Sequence, residues 1–314
     1  MRSIKSLIVL VCLSTINQLQ ANGTFPMQAT QVANNVYAVI TPARDYPNPD
    51  NRGWNSNSAF IVAEEGVLLF DTGASREIGE SIKKVIAGVS SKPVRWIVNS
   101  HGHGDHWLGN VVFKNTVESI YASEQVASAI VADGQAWVDR FNRMTDGVTG
   151  NTIVLPPNRL INEPTEIRLG NTRALLFLSG NSHSPGDLLL WLPEQKVLLT
   201  GDVVYSDRMP STMNANVKQW INLLGELEAM QPKIIVPGHG KITDVAGIQR
   251  LRGLLQAFWI AVEKGYYEGK TDYEMAPEVL QALSPFKPDY PGLEEKVRRD
   301  ISHVYLQVEA ASFE

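Results

Sequence analysis

The string His101-Gly102-His103-Gly104-Asp105-His106 sets three imidazoles and a carboxylate within six residues. Imidazole and carboxylate are ligands that zinc accepts, and His/Asp sets with open positions suit a catalytic metal rather than a structural one. Two histidines at i and i+2 in a turn can address one ion. The Asp and His that follow can reach a second ion beside it. Gly102 and Gly104 suit a turn that brings its backbone close to a ligand. Of the six histidines in the chain, two more stand in Gly/Pro turns after strand-like runs. They are His183, in Ser182-His183-Ser184-Pro185-Gly186-Asp187, and His239, in Val236-Pro237-Gly238-His239-Gly240. Asp202 closes Leu198-Leu199-Thr200-Gly201 in the same way. Together these residues can converge on one rim. The sixth histidine, His303, lies in a helical pattern and reads as a surface or helix-packing residue, because the ligand set is complete without it.

The elements that must position this set are legible by their periodicity. Asn35 to Ile40 reads as a strand, and Ala59–Val62 with Val67–Phe70 as a hairpin through Glu64-Glu65-Gly66. Pro42 to Ser58, rich in Pro, Asn and Asp, is a loop by composition and carries Tyr46 and Trp54. Ile82, Val85, Ile86 and Val89 mark an amphipathic helix over 78–89. Val94 to Val98 is a strand leading into the His string, and Ser123 caps a helix running to about Phe141. Further strands are expected over 174–178, 187–192, 196–200 and 233–236, with a helix over 217–230. From about Asp244 the pattern is helical to the end. Strands and helices in two halves, with polar residues at strand ends, predict helices outside two packed sheets. No stretch rich in Pro, Gly or Ser splits the chain, so residues 22–243 are expected to form one domain and 244–314 a helical extension packed on it.

The 314 residues are 44% hydrophobic and 19% charged, enough for a sizeable core and incompatible with a disordered chain. Met1 to Ala21 has the three parts of a secretory leader: Arg2 and Lys5, the apolar run Leu7 to Leu13, then polar residues and a small one. The apolar run is too short to span a bilayer. Cleavage near Ala21 predicts a secreted or periplasmic protein. Loss of Arg2 and Lys5, with no acid removed, takes the net charge from −5 to −7. The one cysteine, Cys12, leaves with the leader, so a metal must be held by His, Asp or Glu and no thiol nucleophile is available. An acidic chain without a basic run is a poor match to nucleic acid. The expected partner is a small-molecule substrate.

The motif at 101–106, followed in order by His183, Asp202 and His239, resembles the signature of the metallo-β-lactamase superfamily, and the likeness spans about Asn35 to Gly240. The resemblance implies an α/β fold, a four-layer αββα sandwich with the site where the two sheets meet. It implies that His101, His103 and His183 hold a first zinc, that Asp105, His106 and His239 hold a second, and that Asp202 bridges them. Iron or manganese are the alternative metals. Asp71, in Phe70-Asp71-Thr72-Gly73, matches a buried Asp that orients the His loop. The stretch Gly180 to Gly201 is similar to class-B β-lactamases. The bridging Asp202 and His106 are similar instead to thioester and lactone hydrolases, and His106-Trp107-Leu108-Gly109-Asn110 to periplasmic zinc hydrolases associated with quinoproteins. The function implied is zinc-dependent opening of a β-lactam, lactone, ester or thioester carbonyl by a metal-held hydroxide, with Asp105 both ligating and orienting the nucleophile. Trp54 and Tyr46 are placed as a flap over the substrate. A mononuclear iron dioxygenase acting on a persulfide is the alternative on the same fold, and the leader argues against it. A scaffolding protein with a degenerate site is disfavoured by the intact ligand set.

Overall fold

The computed structural model describes residues 26–43 and 45–313. The expected leader, with Cys12, lies outside the described residues. Seven strands form the first sheet in sequence order. β1 (Ala29–Ala33), β2 (Val36–Val39), β3 (Ser58–Val62) and β4 (Val67–Phe70) pair antiparallel. β4 then pairs parallel with β5 (Val94–Val98), β5 with β6 (Ser119–Ser123), and β6 with β7 (Arg159–Ile161). Parallel neighbours need crossovers. α1 (Arg76–Val89) joins β4 to β5; α2 (Gly104–Trp107) and a 3₁₀ turn (Leu108–Phe113) join β5 to β6; α3 (Glu124–Met144) joins β6 to β7. The second sheet repeats the plan in five strands. β8 (Thr165–Leu169), β9 (Thr172–Leu178), β10 (Leu188–Leu192) and β11 (Val197–Tyr205) are antiparallel. α4 (Val217–Ala229) then crosses to the parallel β12 (Ile234–His239). Three helices follow: α5 (Val245–Tyr267), α6 (Asp272–Ala282) and α7 (Leu293–Ala311).

Strand alternation separates the layers. Leu68 and Phe70 of β4 face inward and join Leu188, Leu190, Leu199 and Val236 of the other sheet in one buried cluster. Val67 and Leu69 face the other way, against Ile78, Ile82 and Ile86. Those three isoleucines, at i, i+4 and i+8, are the buried face of α1. Ser75 caps that helix by accepting from the Ile78 amide. On the outer face of the second sheet, Leu189, Leu198 and Ile235 pack with Trp220 of α4, Phe258 of α5, and Val297, Ile301 and Val304 of α7. The order of layers is therefore helix, sheet, sheet, helix, and the C-terminal helices belong to the fourth layer.

The expected strands and helices are present with small shifts at their ends. β1, β6, β7 and β8 were not expected from the sequence, and β11 runs on to Tyr205 where a stop at Thr200 was expected. The apparent stop is Gly201, whose φ of 50° lets the strand kink past Ser100 and continue. His303 sits on α7 with Nε2 3.3 Å from the Ala215 carbonyl, in keeping with a packing role.

The structure corrects the expectation for Trp54. Its indole is 5% exposed and packs with Phe60, Val67, Leu69 and Ile78 on the outer face of the first sheet, away from the cavity described below. A Pro/Asn-rich loop needs an apolar anchor, and the indole is more stabilising under α1 than over solvent. Trp54→Ala should therefore lower folding stability by about 3–5 kcal/mol, the usual cost of truncating a buried Trp, with KM unchanged. Urea denaturation beside steady-state kinetics checks this; undiminished stability with a raised KM would return Trp54 to the substrate wall.

Candidate metal centre and its cavity

All seven residues singled out as ligands arrive at one edge of the sandwich. His101, His103, Asp105 and His106 follow β5 into α2; His183 stands in the turn before β10; Asp202 lies in β11 and His239 ends β12. They form two clusters, His101, His103, His183 and Asp202 in one, Asp105, His106 and His239 in the other, with ligand atoms within 4.8 Å of one another in each. In the first, Nδ1 of His103 lies 3.0 Å from Nε2 of His101 and 3.2 Å from Nε2 of His183. Asp202 touches both clusters. Its Oδ2 is 3.6 Å from His101 Nε2, 3.5 Å from His183 Nε2 and 3.2 Å from His239 Nε2, and its Oδ1 is 3.1 Å from His106 Nε2. Asp105 Oδ2 lies 3.5 Å from His239 Nε2 and 3.8 Å from His106 Nε2.

Hydrogen bonds behind the cluster decide which ring nitrogen faces inward. Asp71 accepts from the Ser100 amide (2.8 Å) and hydroxyl (2.7 Å) and from Nδ1 of His106 (2.8 Å). This leaves His106 Nε2 as the inward lone pair. Ser100, having donated to Asp71, accepts from His101 Nδ1 at 2.9 Å, which turns His101 Nε2 inward. Asp71 itself holds φ 57°, a left-handed conformation uncommon outside glycine and open to Asp. The turn is clamped from outside as well: the Thr72 amide donates to His106 O (2.7 Å), and Trp107 Nε1 to Gly102 O (3.0 Å). Gly238 sits where a Cβ would collide with Asp202 Oδ1, so β12 can pass the cluster only as glycine.

Three supporting residues escaped the sequence reading because nothing in Asn55-Ser56-Asn57 departs from ordinary loop composition. Asn55 donates to Asp105 Oδ2 at 3.0 Å, and its carbonyl accepts from His239 Nδ1 at 2.6 Å. Ser56 donates to the Asp105 carbonyl at 2.5 Å. Asn57 donates to Pro237 O and Gly240 O at 2.9 and 2.8 Å. The loop thus ties the His turn to the end of β12. Tyr205 was missed too; its hydroxyl donates to Asp202 Oδ2, and its ring stacks on His239 with centroids 5.1 Å apart.

The charges explain the chemistry of the set. Burial pushes His101, His103, His183 and His239 below the ordinary imidazole range, His183 to about 3, which favours the neutral form that can ligate. Burial also opposes ionisation of Asp105 and Asp202, but the surrounding histidines outweigh it and hold both carboxylates low. His106 goes the other way. Burial opposes its charge, yet Asp202, Asp105 and Asp71 overcome it and hold the imidazole well above its usual range. A cluster of two carboxylates draws in a cation, and a proton on His106 answers that need as a metal would. When His106 carries no second proton, its Nε2 and Asp202 Oδ1 are buried acceptors 3.1 Å apart with no hydrogen-bond donor between them. Unpaired buried atoms of this kind are costly unless a cation joins them. The donor set, with its convergent lone pairs, fits a divalent metal.

The cluster floors a cavity of about 600 Å³. α3 lines it with Val126, Ala129, Trp137, Phe141 and Met144, and also with Gln125, Asp133 and Arg140; Tyr46, Arg208, Lys296 and Arg299 line it from other elements. Tyr46 is therefore at the cavity, as expected, while Trp54 is not.

Asp71→Ala should lower divalent-metal affinity about 10- to 100-fold, the usual cost of losing the group behind a ligating imidazole. Competition against a chromogenic chelator measures it; an unchanged affinity would show that the fold alone orients His106.

Comparison with known proteins agrees with this geometry. The profile of the metallo-beta-lactamase superfamily matches residues 51–239. The chain is 24% identical over 293 residues to a linear primary-alkylsulfatase of Pseudomonas sp. (strain ATCC 19151), covering 79% of this chain but only 55% of that protein's length. It is 24% identical over 191 residues to metallo-beta-lactamase IND-1 of Chryseobacterium indologenes, covering 59% of this chain and 72% of the relative. The solved metallo-beta-lactamase from Pontibacter korlensis superposes with a TM-score of 0.60 at 22% identity, over 73% of this chain and 99% of that one. With the profile spanning more than half of the chain and the fold and His/Asp cluster in place, the chain belongs to the metallo-beta-lactamase superfamily.

Proposed function

We propose that this chain is a hydrolase that holds two divalent ions, zinc by the chemistry of its donors, and opens a carbonyl bond of a small molecule: a β-lactam, a lactone, or another ester or thioester. The observation that carries the reading is Asp202, whose two oxygens stand between two separate sets of nitrogen donors. His101, His103 and His183 would hold one ion, Asp105, His106 and His239 the other, with Asp202 shared. When bound, such ions polarise a carbonyl and make water acidic near neutral pH.

The chain's own residues do the rest. Asp105 borders the cavity, and its side chain keeps 12% of its surface exposed. Held ionised and fixed by Asn55, it is placed to accept a proton from the attacking water and return it to the leaving atom. Asp71 and Ser100 keep the imidazoles from rotating during the reaction. Tyr205 holds Asp202 Oδ2 in place. The apolar residues of α3 exclude bulk water and strengthen each of these interactions. A second reading, hydrolysis of a sulfate ester, is favoured by the extent of the alkylsulfatase likeness, which spans 79% of the chain against 59% for the β-lactamase.

A panel of β-lactams, lactones, thioesters and alkyl sulfates tests both readings. Turnover of at least one class, abolished by a chelator and restored by zinc, is expected. Asp105→Asn should cut that turnover about 10²- to 10⁴-fold with the fold intact. Turnover indifferent to chelation, or an Asp105→Asn variant of near-normal rate, would contradict the proposal.

A further inference from the structure

Two parts of the cavity lining fall outside the residues 51–239 that match the superfamily: Tyr46 precedes them and α7 follows them. Between the two in sequence runs the segment 206–216, which joins β11 to α4 and lines the cavity with Arg208, Ser211, Met213 and Asn214. This segment has neither helix nor strand of its own. Its backbone groups find partners on α7 instead. Lys296, Asp300, His303 and Gln307, at i, i+4, i+7 and i+11, share one face of that helix. Lys296 Nζ donates to the Met209 carbonyl at 2.6 Å, and Asp300 Oδ2 accepts from the Thr212 amide at 2.8 Å. His303 Nε2 lies 3.3 Å from the Ala215 carbonyl, to which Gln307 donates at 2.9 Å. Gln307 Oε1 accepts from the Val217 amide at 2.9 Å, where α4 begins. The segment takes its shape from a helix face.

Asp300 has a second set of partners. Its carboxylate is 1% exposed, and its two oxygens also take Nε and Nη2 of Arg299, at 2.5 and 3.0 Å. A guanidinium gripped at two corners by a carboxylate has a fixed plane. Its remaining nitrogen, Nη1, donates to the Tyr46 hydroxyl at 2.6 Å, and Nη2 also reaches Ser211 Oγ at 3.0 Å. One buried carboxylate therefore grips both pieces of the lining: the 206–216 segment directly, through Thr212, and the Tyr46 loop through Arg299. Thr212 is itself fully buried, so its amide is costly to leave without an acceptor.

We infer that Asp300 is a positioning residue for substrate binding: through Thr212 and Arg299 it locks the 206–216 segment and the Tyr46 loop together, so that this side of the cavity is formed before a substrate enters. The inference rests on reading the cavity as the hydrolase's substrate site. Asp300 touches none of the seven ligands of the metal cluster, so its effect falls on substrate binding and not on the ions. A wall held in its binding shape spares the substrate the cost of ordering it, and a wall set loose returns that cost as a higher KM.

Hydrogen exchange read by mass spectrometry on the full-length, metal-replete protein tests the lock without needing a substrate. Asp300→Ala should speed exchange about tenfold or more in peptides covering 206–216 and in those covering 45–53, and leave peptides covering 95–110 and the metal content as they were. Asp300→Asn keeps an oxygen for the Thr212 amide but loses the charge that grips Arg299. It should loosen 45–53 as Asp300→Ala does and 206–216 much less, and it decides alone should Asp300→Ala fail to fold. Tyr46→Phe, which keeps the ring and removes only the hydroxyl, should loosen 45–53 and not 206–216, and Asp300→Asn added to it should loosen 45–53 no further. With any substrate that the panel above turns over, Asp300→Asn should raise KM about tenfold and change kcat less than about threefold. Exchange unchanged in 45–53 in the Asp300 variants, exchange raised across the whole chain, or a fall in kcat at constant KM overturns the inference. Loosened peptides in a protein that turns over nothing contradict the hydrolase reading alone. Turnover with 45–53 still protected in Asp300→Asn contradicts the lock alone.

Discussion

Two carboxylates and five imidazoles, nearly all shut away from water, point their acceptor atoms at one another across a few ångströms. Left to themselves, those lone pairs repel and their desolvation is uncompensated. The arrangement is stable only with positive charge at its centre. Asp202, Asp105 and Asp71 raise the proton affinity of His106 well above the usual imidazole range, so that without a metal a proton there meets part of that need. Metal ions on the proposed reading meet all of it. Everything around the cluster serves to keep these costly groups in register, because in a less rigid scaffold each would turn toward water.

That rigidity is built in layers. The inter-sheet core fixes the strand ends, and the strand ends deliver the ligands: β5 to the His turn, β11 to Asp202, β12 to His239. Behind the ligands, Asp71 and Ser100 choose the tautomers. Across the top, Asn55, Ser56 and Asn57 lace the first half of the chain to the second. The fourth layer does more than cover the second sheet. α7, packed there by Val297, Ile301 and Val304, carries Lys296 to the cavity. The metal cluster comes from the part shared with the superfamily, and one wall of the cavity comes partly from the extension. Substrate choice can therefore change without disturbing the metal ligands.

What the sequence made legible follows from the range of each interaction. The strand ends and the helices with isoleucine or leucine at i and i+4 are local patterns that read correctly, and the residues of the His/Asp string do come together with His183, Asp202 and His239. β6, β7 and β8 are short or half-exposed, so they carry weak alternation. Gly201 looks like a terminator because its conformation is one that turns use, yet the strand continues beyond it. Trp54 and Tyr46 share one loop, and composition could not tell that one ring turns into the core and the other toward the cavity. Asn55 and Asn57 are invisible as site residues until their partners, 50 and 180 positions away, are known. Lys296 reads as an ordinary helix-surface lysine until the fold buries it beside Arg208.

The central claim is that one carboxylate, Asp202, is shared by two metal ions. X-ray absorption at the zinc edge of the fully loaded protein tests it most directly. A metal–metal vector of about 3.5–4 Å is the expected result, as in other two-metal hydrolytic sites, with loss of that vector in Asp202→Asn. A spectrum of isolated zinc ions in the native protein, or a vector that persists in the variant, would contradict the account.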